Sequence, residues 1–176
     1  FKQKTAYEIM PSLVGSEMCI RDRTLTVNGR KKVLEVAPNE RLIDILRYKL
    51  DLRSVKAGCL KGECGTCLVL MNGRPVKSCL VLAAEADGSE IVTVEGLGSP
   101  NKPALIQKAF IEAFGYQCGF CTSGFILLGH WILENMPDAS EEEIKEILNG
   151  ILCRCTGYKQ IIEAIRLVQS WKREHR

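Results

Sequence analysis

Residues 58–67 read Gly-Cys-Leu-Lys-Gly-Glu-Cys-Gly-Thr-Cys, and another cysteine follows at Cys79. Cys59, Cys64, Cys67 and Cys79 thus stand in the order C-x4-C-x2-C-x11-C. A backbone that brings three thiols from so short a stretch to one place must curl around them rather than run past. Gly58, Gly62 and Gly65 lie between and beside the cysteines, where positive φ and close backbone approach are cheapest. A metal-holding loop is the first expectation, set against structural zinc and a disulfide framework.

The flanks say what carries the loop. Thr24–Val27, Asn28-Gly29 and Val33–Val36 predict a hairpin, because Asn-Gly supplies the positive φ angles of a type I′ turn. Glu40 to Leu50 places Leu42, Ile43, Ile45, Leu46 and Leu50 on a helical period. Cys67–Met71 and Val76–Leu80 flank Asn72-Gly73 as a second hairpin, and Ile91–Val94 closes as a short strand. The expectation is a small mixed sheet on one helix. The spacing of the first three cysteines then matches a plant-type 2Fe–2S loop, with Cys79 arriving from the hairpin behind it. Backbone N–H groups freed by the curl can point at the sulfurs and stabilise an added electron. Zinc sites usually pair two C-x2-C knuckles, unlike this x4 gap. Cys64 and Cys67 are too close to be comfortable partners in a disulfide framework.

Downstream the period changes. Gly96 to Pro103 reads as a linker, with Pro103 suited to a first helical turn. Ile106, Ala109, Phe110 and Ala113 form one apolar stripe. A second helix, capped by Thr122 or Ser123, runs through Leu133 and is apolar all round, hence central. Ser140 and Glu143 form a capping box for a third, and Ile161, Ile165, Val168 and Trp171 line a fourth. Cys118 and Cys121 fall between the first and second of these helices, and Cys153 and Cys155 between the third and fourth. The four thiols can meet at one end of the bundle, where the N-termini of the second and fourth helices would point partial positive charge at an anionic group. Taken alone, this set suits zinc as readily as iron.

The first residues stand apart. Residues 1–23 carry no helical or strand period and lack the layout of a signal peptide. Lys2–Ile9 and Leu13–Asp22 back-translate in one frame to strings resembling a sequencing flow-cell adapter and a transposase adapter. Residues 1–23 are therefore expected to be translated adapter, with Cys19 outside the chemistry of the other eight of nine cysteines. Over 176 residues, 24 Lys+Arg stand against 21 Asp+Glu. That near-balance, with no basic stripe, argues against a nucleic-acid binder. No apolar run reaches the roughly 18–20 residues of a membrane span.

Gln117-Cys-Gly-Phe-Cys-Thr-Ser-Gly124 and Leu152-Cys-Arg-Cys-Thr-Gly-Tyr158, beside the first set, resemble the iron–sulfur small subunit of the molybdenum hydroxylases. That family includes xanthine dehydrogenase, aldehyde oxidoreductase and carbon monoxide dehydrogenase. The resemblance runs from Thr24 to about Val168. It implies an α+β fold: a β-grasp ferredoxin domain over 24–98 and an all-α four-helix domain over 99–176, each holding one 2Fe–2S cluster. Carried over residue by residue, Cys59, Cys64, Cys67 and Cys79 would bind the first cluster, and Cys118, Cys121, Cys153 and Cys155 the second. Gln117 and Cys155 would face a molybdopterin on a large partner chain, and the first cluster would face FAD on a medium chain, in a dimer of heterotrimers. The family usually has Pro where Ser123 stands and commonly Asn where Ile151 stands; neither is a ligand.

No catalytic constellation emerges. His130 among Leu127, Leu128, Trp131 and Ile132 reads as a core histidine making one hydrogen bond, and His175 lies in the tail. Glu141, Glu142 and Glu143 read as a first-turn charge cluster. The expected function is electron relay with substrate chemistry on another chain; the alternative is a free-standing two-cluster ferredoxin that diffuses between partners. Cytoplasm is the expected compartment, since thiols and clusters are most easily kept there, unless a lost twin-arginine signal directs export.

Overall fold

The computed structural model describes residues 21–37 and 39–174. Cys19, His175 and the adapter reading up to residue 20 lie outside the described residues. Strands β1 (Arg21–Val27) and β2 (Arg30–Val36) form the first hairpin. Asn28 and Gly29 turn it with φ of 50° and 74°, the two positive angles a type I′ turn requires. β1 begins three residues before Thr24, because the ladder from Arg21↔Val36 onward is made by backbone and accepts any side chain.

The second hairpin joins β3 (Leu68–Met71) and β4 (Arg74–Lys77) through Asn72 and Gly73, at φ 49° and 75°. Its second strand stops at Lys77 instead of running on to Leu80. Ser78 donates both its N–H (3.3 Å) and its hydroxyl (2.7 Å) to the Cys67 carbonyl, which winds Ser78–Leu80 into a 3-10 turn and brings Cys79 back beside Cys67. β5 (Glu90–Val92) lies parallel to β1 and antiparallel to β3, giving the order β2-β1-β5-β3-β4. Helix α1 (Leu42–Asp44) widens at once into a π-helical turn over Ile45–Lys49, closed by Leu50 N–H on the Ile45 carbonyl. Leu42, Ile43, Ile45 and Leu46 are fully buried there against Leu25, Val36, Val69 and Ile91.

A short helix α2 (Val94–Leu97) takes the residues that the sequence assigns to a strand end and a linker. The bundle follows as α3 (Leu105–Glu112), α4 (Thr122–Asn135), α5 (Glu141–Leu148) and α6 (Lys159–Glu174). The capping box of α5 is present in both halves: Ser140 N–H donates to Glu143 Oε2 (2.7 Å) and Glu143 N–H to Ser140 Oγ (3.3 Å). Neither Thr122 nor Ser123 caps α4. Cys121 occupies the N-cap position, and Ser123 lies inside the helix and donates its hydroxyl to the Ser54 carbonyl at 2.6 Å. His130 is half-buried, with its pKa pushed down by burial, and makes no hydrogen bond among the described residues.

The two halves share one strand. Side chains alternate between the faces of a strand. Val69 therefore enters the core over α1, while Leu68 and Leu70 enter the core of the bundle with Phe125 and Ile151. A polar clamp sits beside this seam. Glu95 accepts from the Ser54 N–H (3.2 Å) and from the Ser54 and Thr93 hydroxyls, and buried Thr93 is in turn held by Asn28.

Candidate metal centres

The first cysteine loop is shaped by hydrogen bonds to sulfur. Cys64 N–H (3.3 Å) and Lys61 N–H (3.4 Å) donate to Cys59 Sγ, and Cys59 N–H donates to Cys64 Sγ (3.4 Å). These donors pull the Cys59 thiol down to about 6, the Cys64 N–H contributing most. Cys67 and Cys79, beneath them, are buried, and burial pushes the Cys67 thiol up to about 11. Gly62 and Gly65 adopt the expected positive φ, as does Leu60 between Cys59 and Lys61, which the glycine pattern did not indicate. Gly58 has no positive φ; it is needed for space, since a Cβ there would lie 2.9 Å from Cys64 Sγ.

The second set assembles from two inter-helix loops, as the spacing predicts. Cys121 opens α4, and Cys153 and Cys155 lie between α5 and α6. Cys118 and Cys155 are exposed with sulfurs 3.5 Å apart. Cys121 is buried, which pushes its thiol up to about 12. Burial also acts to raise Cys153, but the Thr156 hydroxyl (3.3 Å) and N–H (3.5 Å) outweigh it and leave that thiol lowered. The Tyr158 hydroxyl braces the loop, accepting from Cys153 N–H and donating to the Ile151 carbonyl, both at 3.1 Å. Its ring meets Phe125 edge-on at 5.8 Å.

All eight described cysteines are free thiols. Among the described residues no three His, Cys, Asp or Glu side chains close on a single ion. Within each set the cysteines come into contact: Cys59 and Cys64 exchange N–H to sulfur hydrogen bonds, and the Cys118 and Cys155 sulfurs lie 3.5 Å apart. Four thiols per set with N–H groups donating to sulfur fit an iron–sulfur cluster, a centre that gains negative charge on reduction.

The sets adjoin. Leu152 N–H donates to the Cys64 carbonyl at 2.9 Å, and Gly65 packs so tightly on the second loop that a Cβ would lie 2.3 Å from the Gly150 carbonyl oxygen. Ile151 is fully buried in this seam. Gln117 is exposed beside Cys118. Phe114, Tyr116, Phe120 and Leu152, all exposed, lie on the same two loops as Cys118 and Cys155. The sequence carried no local sign of Thr66, Thr156 or Ser54 as parts of the site. Their roles depend on partners brought by the loop's curl or from the other half of the chain.

Two family models match in succession: a 2Fe-2S iron-sulfur cluster binding domain over residues 25–94 and a [2Fe-2S] binding domain over 93–166. The nicotinate dehydrogenase small FeS subunit of Eubacterium barkeri is 48% identical over 142 residues, covering 81% of this chain and 90% of the relative. Quinoline 2-oxidoreductase from Pseudomonas putida 86 contains a chain 41% identical with a TM-score of 0.82, covering 88% of this chain and 96% of that one. The aldehyde oxidoreductase of Desulfovibrio desulfuricans matches at 37% identity and TM-score 0.85, over 89% of this chain but 18% of its own longer chain.

Proposed function

The chain belongs to the iron–sulfur small subunits of the molybdenum hydroxylases, and from that premise we propose that it relays electrons between a molybdopterin on a large partner and FAD on a medium partner. The relatives are subunits of oxidoreductase complexes, and no helix among the described residues is long and apolar enough to cross a membrane. The observation that carries the proposal is the gathering of eight cysteines, none in a disulfide, into two adjoining sets with N–H groups donating to their sulfurs.

A 2Fe–2S cluster in each set supplies one-electron chemistry. Cys59, Cys64, Cys67 and Cys79 hold the first, in the ferredoxin-type unit of residues 24–98. Cys118, Cys121, Cys153 and Cys155 hold the second, in the four-helix unit of 99–176. Exposed Cys118, Cys155 and Gln117 form the side turned to the molybdopterin, and the apolar residues around them are what a partner covers. The Cys64 carbonyl and Leu152 N–H hold the two ligand loops at a set spacing. Buried Cys67 and Cys121 keep water from the inner side of each set. Oxidation of an aldehyde, carbon monoxide, a purine or an N-heterocycle takes place on the large chain, and two such complexes pair as a dimer of heterotrimers.

Anaerobically purified protein should contain about four irons per chain and, on reduction, show two distinct rhombic S = 1/2 EPR signals. A colourless zinc protein would overturn the reading. Co-purification with flavin- and molybdenum-bearing chains supports the relay subunit, and a chain that carries both clusters yet associates with neither is a diffusible ferredoxin.

A further inference from the structure

We propose that the Thr66 hydroxyl is a switchable donor that raises the potential of the first cluster by turning its single proton from the Lys56 carbonyl to the Cys64 sulfur. This rests on the relay reading above. Thr66 is 4% exposed, and its Oγ1 lies 3.2 Å from Cys64 Sγ and 3.4 Å from the Lys56 carbonyl oxygen. A hydroxyl has one hydrogen and can serve only one of these acceptors at a time. The acceptors are held in place, because Lys56 N–H itself donates to the Thr66 carbonyl.

Gly58 completes the arrangement. A Cβ there would stand 2.7 Å from Thr66 Oγ1 and 2.9 Å from Cys64 Sγ, so the missing side chain leaves the hydroxyl and sulfur room to meet. Thr156 is the contrasting case. Its Oγ1 accepts from Tyr158 N–H (3.3 Å) and lies 3.3 Å from Cys153 Sγ, with no carbonyl competing for its proton among the described residues. Of the two hydroxyls, Thr66 is the one placed between sulfur and a carbonyl, and so the one that responds to charge on its cluster.

A 2Fe–2S cluster held by these thiolates would take one electron from dithionite, one ferric iron becoming ferrous. No bond breaks, and the proton stays on the Thr66 oxygen while the O–H rotates. Added negative charge on Cys64 Sγ makes sulfur the better acceptor, and hydrogen bonds to charged acceptors are the strong ones.

The test is an EPR-monitored redox titration of the full chain carrying both clusters. In Thr66→Val the reduced-to-oxidised ratio of the first cluster at a fixed solution potential should fall about fivefold, with the second cluster unmoved. Thr66→Ser should restore it. Thr66→Ala removes the hydroxyl without adding bulk and must show the same fall if Thr66→Val does not retain its cluster. Both signals present with an unmoved first midpoint in the hydroxyl-free variants would overturn this proposal alone. Absence of both signals from the unmodified chain would overturn the relay reading beneath it.

Discussion

A side chain at position 65 has no space to occupy. Gly65 sits at φ 68°, and its Cβ would collide with the Gly150 carbonyl and with Ile151 Cα at 2.9 Å, atoms that belong to backbone and cannot swing away. Gly65→Ala should therefore cost about 3 kcal/mol, the sum of left-handed strain and steric displacement. Urea denaturation measures it, and a loss below about 1 kcal/mol would mean that the two loops separate easily. The cysteines make a different prediction at the same scale. Cys79→Ser should remove the first EPR signal and about half the iron while sparing the second, and Cys121→Ser should do the reverse. Loss of both signals from either variant would show that the sets do not assemble independently.

Among the elements, α5 depends on a local device. Ser140→Ala removes the acceptor of Glu143 N–H and should destabilise the chain by about 1 kcal/mol in chemical denaturation, with both clusters retained. Such devices were legible in the sequence because their partners lie within three residues. The same holds for the two Asn-Gly turns, whose backbone angles are a property of those two residues. Ser123 shows where local reading stops. It looked like a cap by composition, but its acceptor is the Ser54 carbonyl, 69 residues away. The 3-10 turn at Ser78 and the π-helical turn of Ile45–Lys49 were missed for a related reason. The first is set by the Cys67 carbonyl across the hairpin, and the second is a backbone choice that leaves the buried leucines and isoleucines on one face. Spacing showed which loops could bring the cysteines together, but the hydroxyls that reach their sulfurs left no local sign.

For the molecule as a whole, β3 binds two cores into one. Val69 serves one and Leu68 with Leu70 the other, so neither half keeps a closed interior without its neighbour. Calorimetry of the cluster-loaded chain should show one transition rather than two. The Ser54–Glu95–Thr93 clamp adds a pH dependence to that coupling. Burial raises the Glu95 carboxyl, but the Ser54 and Thr93 hydrogen bonds outweigh it and hold its pKa below that of an ordinary glutamate. A depressed carboxylate contributes stability that is complete above its unfolded pKa and is lost as pH falls through the folded value. Glu95→Gln should cost about 1 kcal/mol at neutral pH, a partly solvated hydrogen-bonded charge being worth no more. The gap to the unmodified chain should narrow as pH falls below the ordinary carboxylate range and through the lowered Glu95 value, in acid unfolding followed by circular dichroism. A gap that persists at low pH would mean that the glutamine disturbs packing rather than charge.

The shared strand also has a consequence for synthesis. When the sheet has left the ribosome at Val92, the outward face of Leu68 and Leu70 is still bare, because its cover, α4, ends at Asn135. At typical elongation rates that interval lasts a few seconds. During it the nascent chain presents a greasy strand face to any chaperone, and the first thiols are already displayed before the second set has been translated.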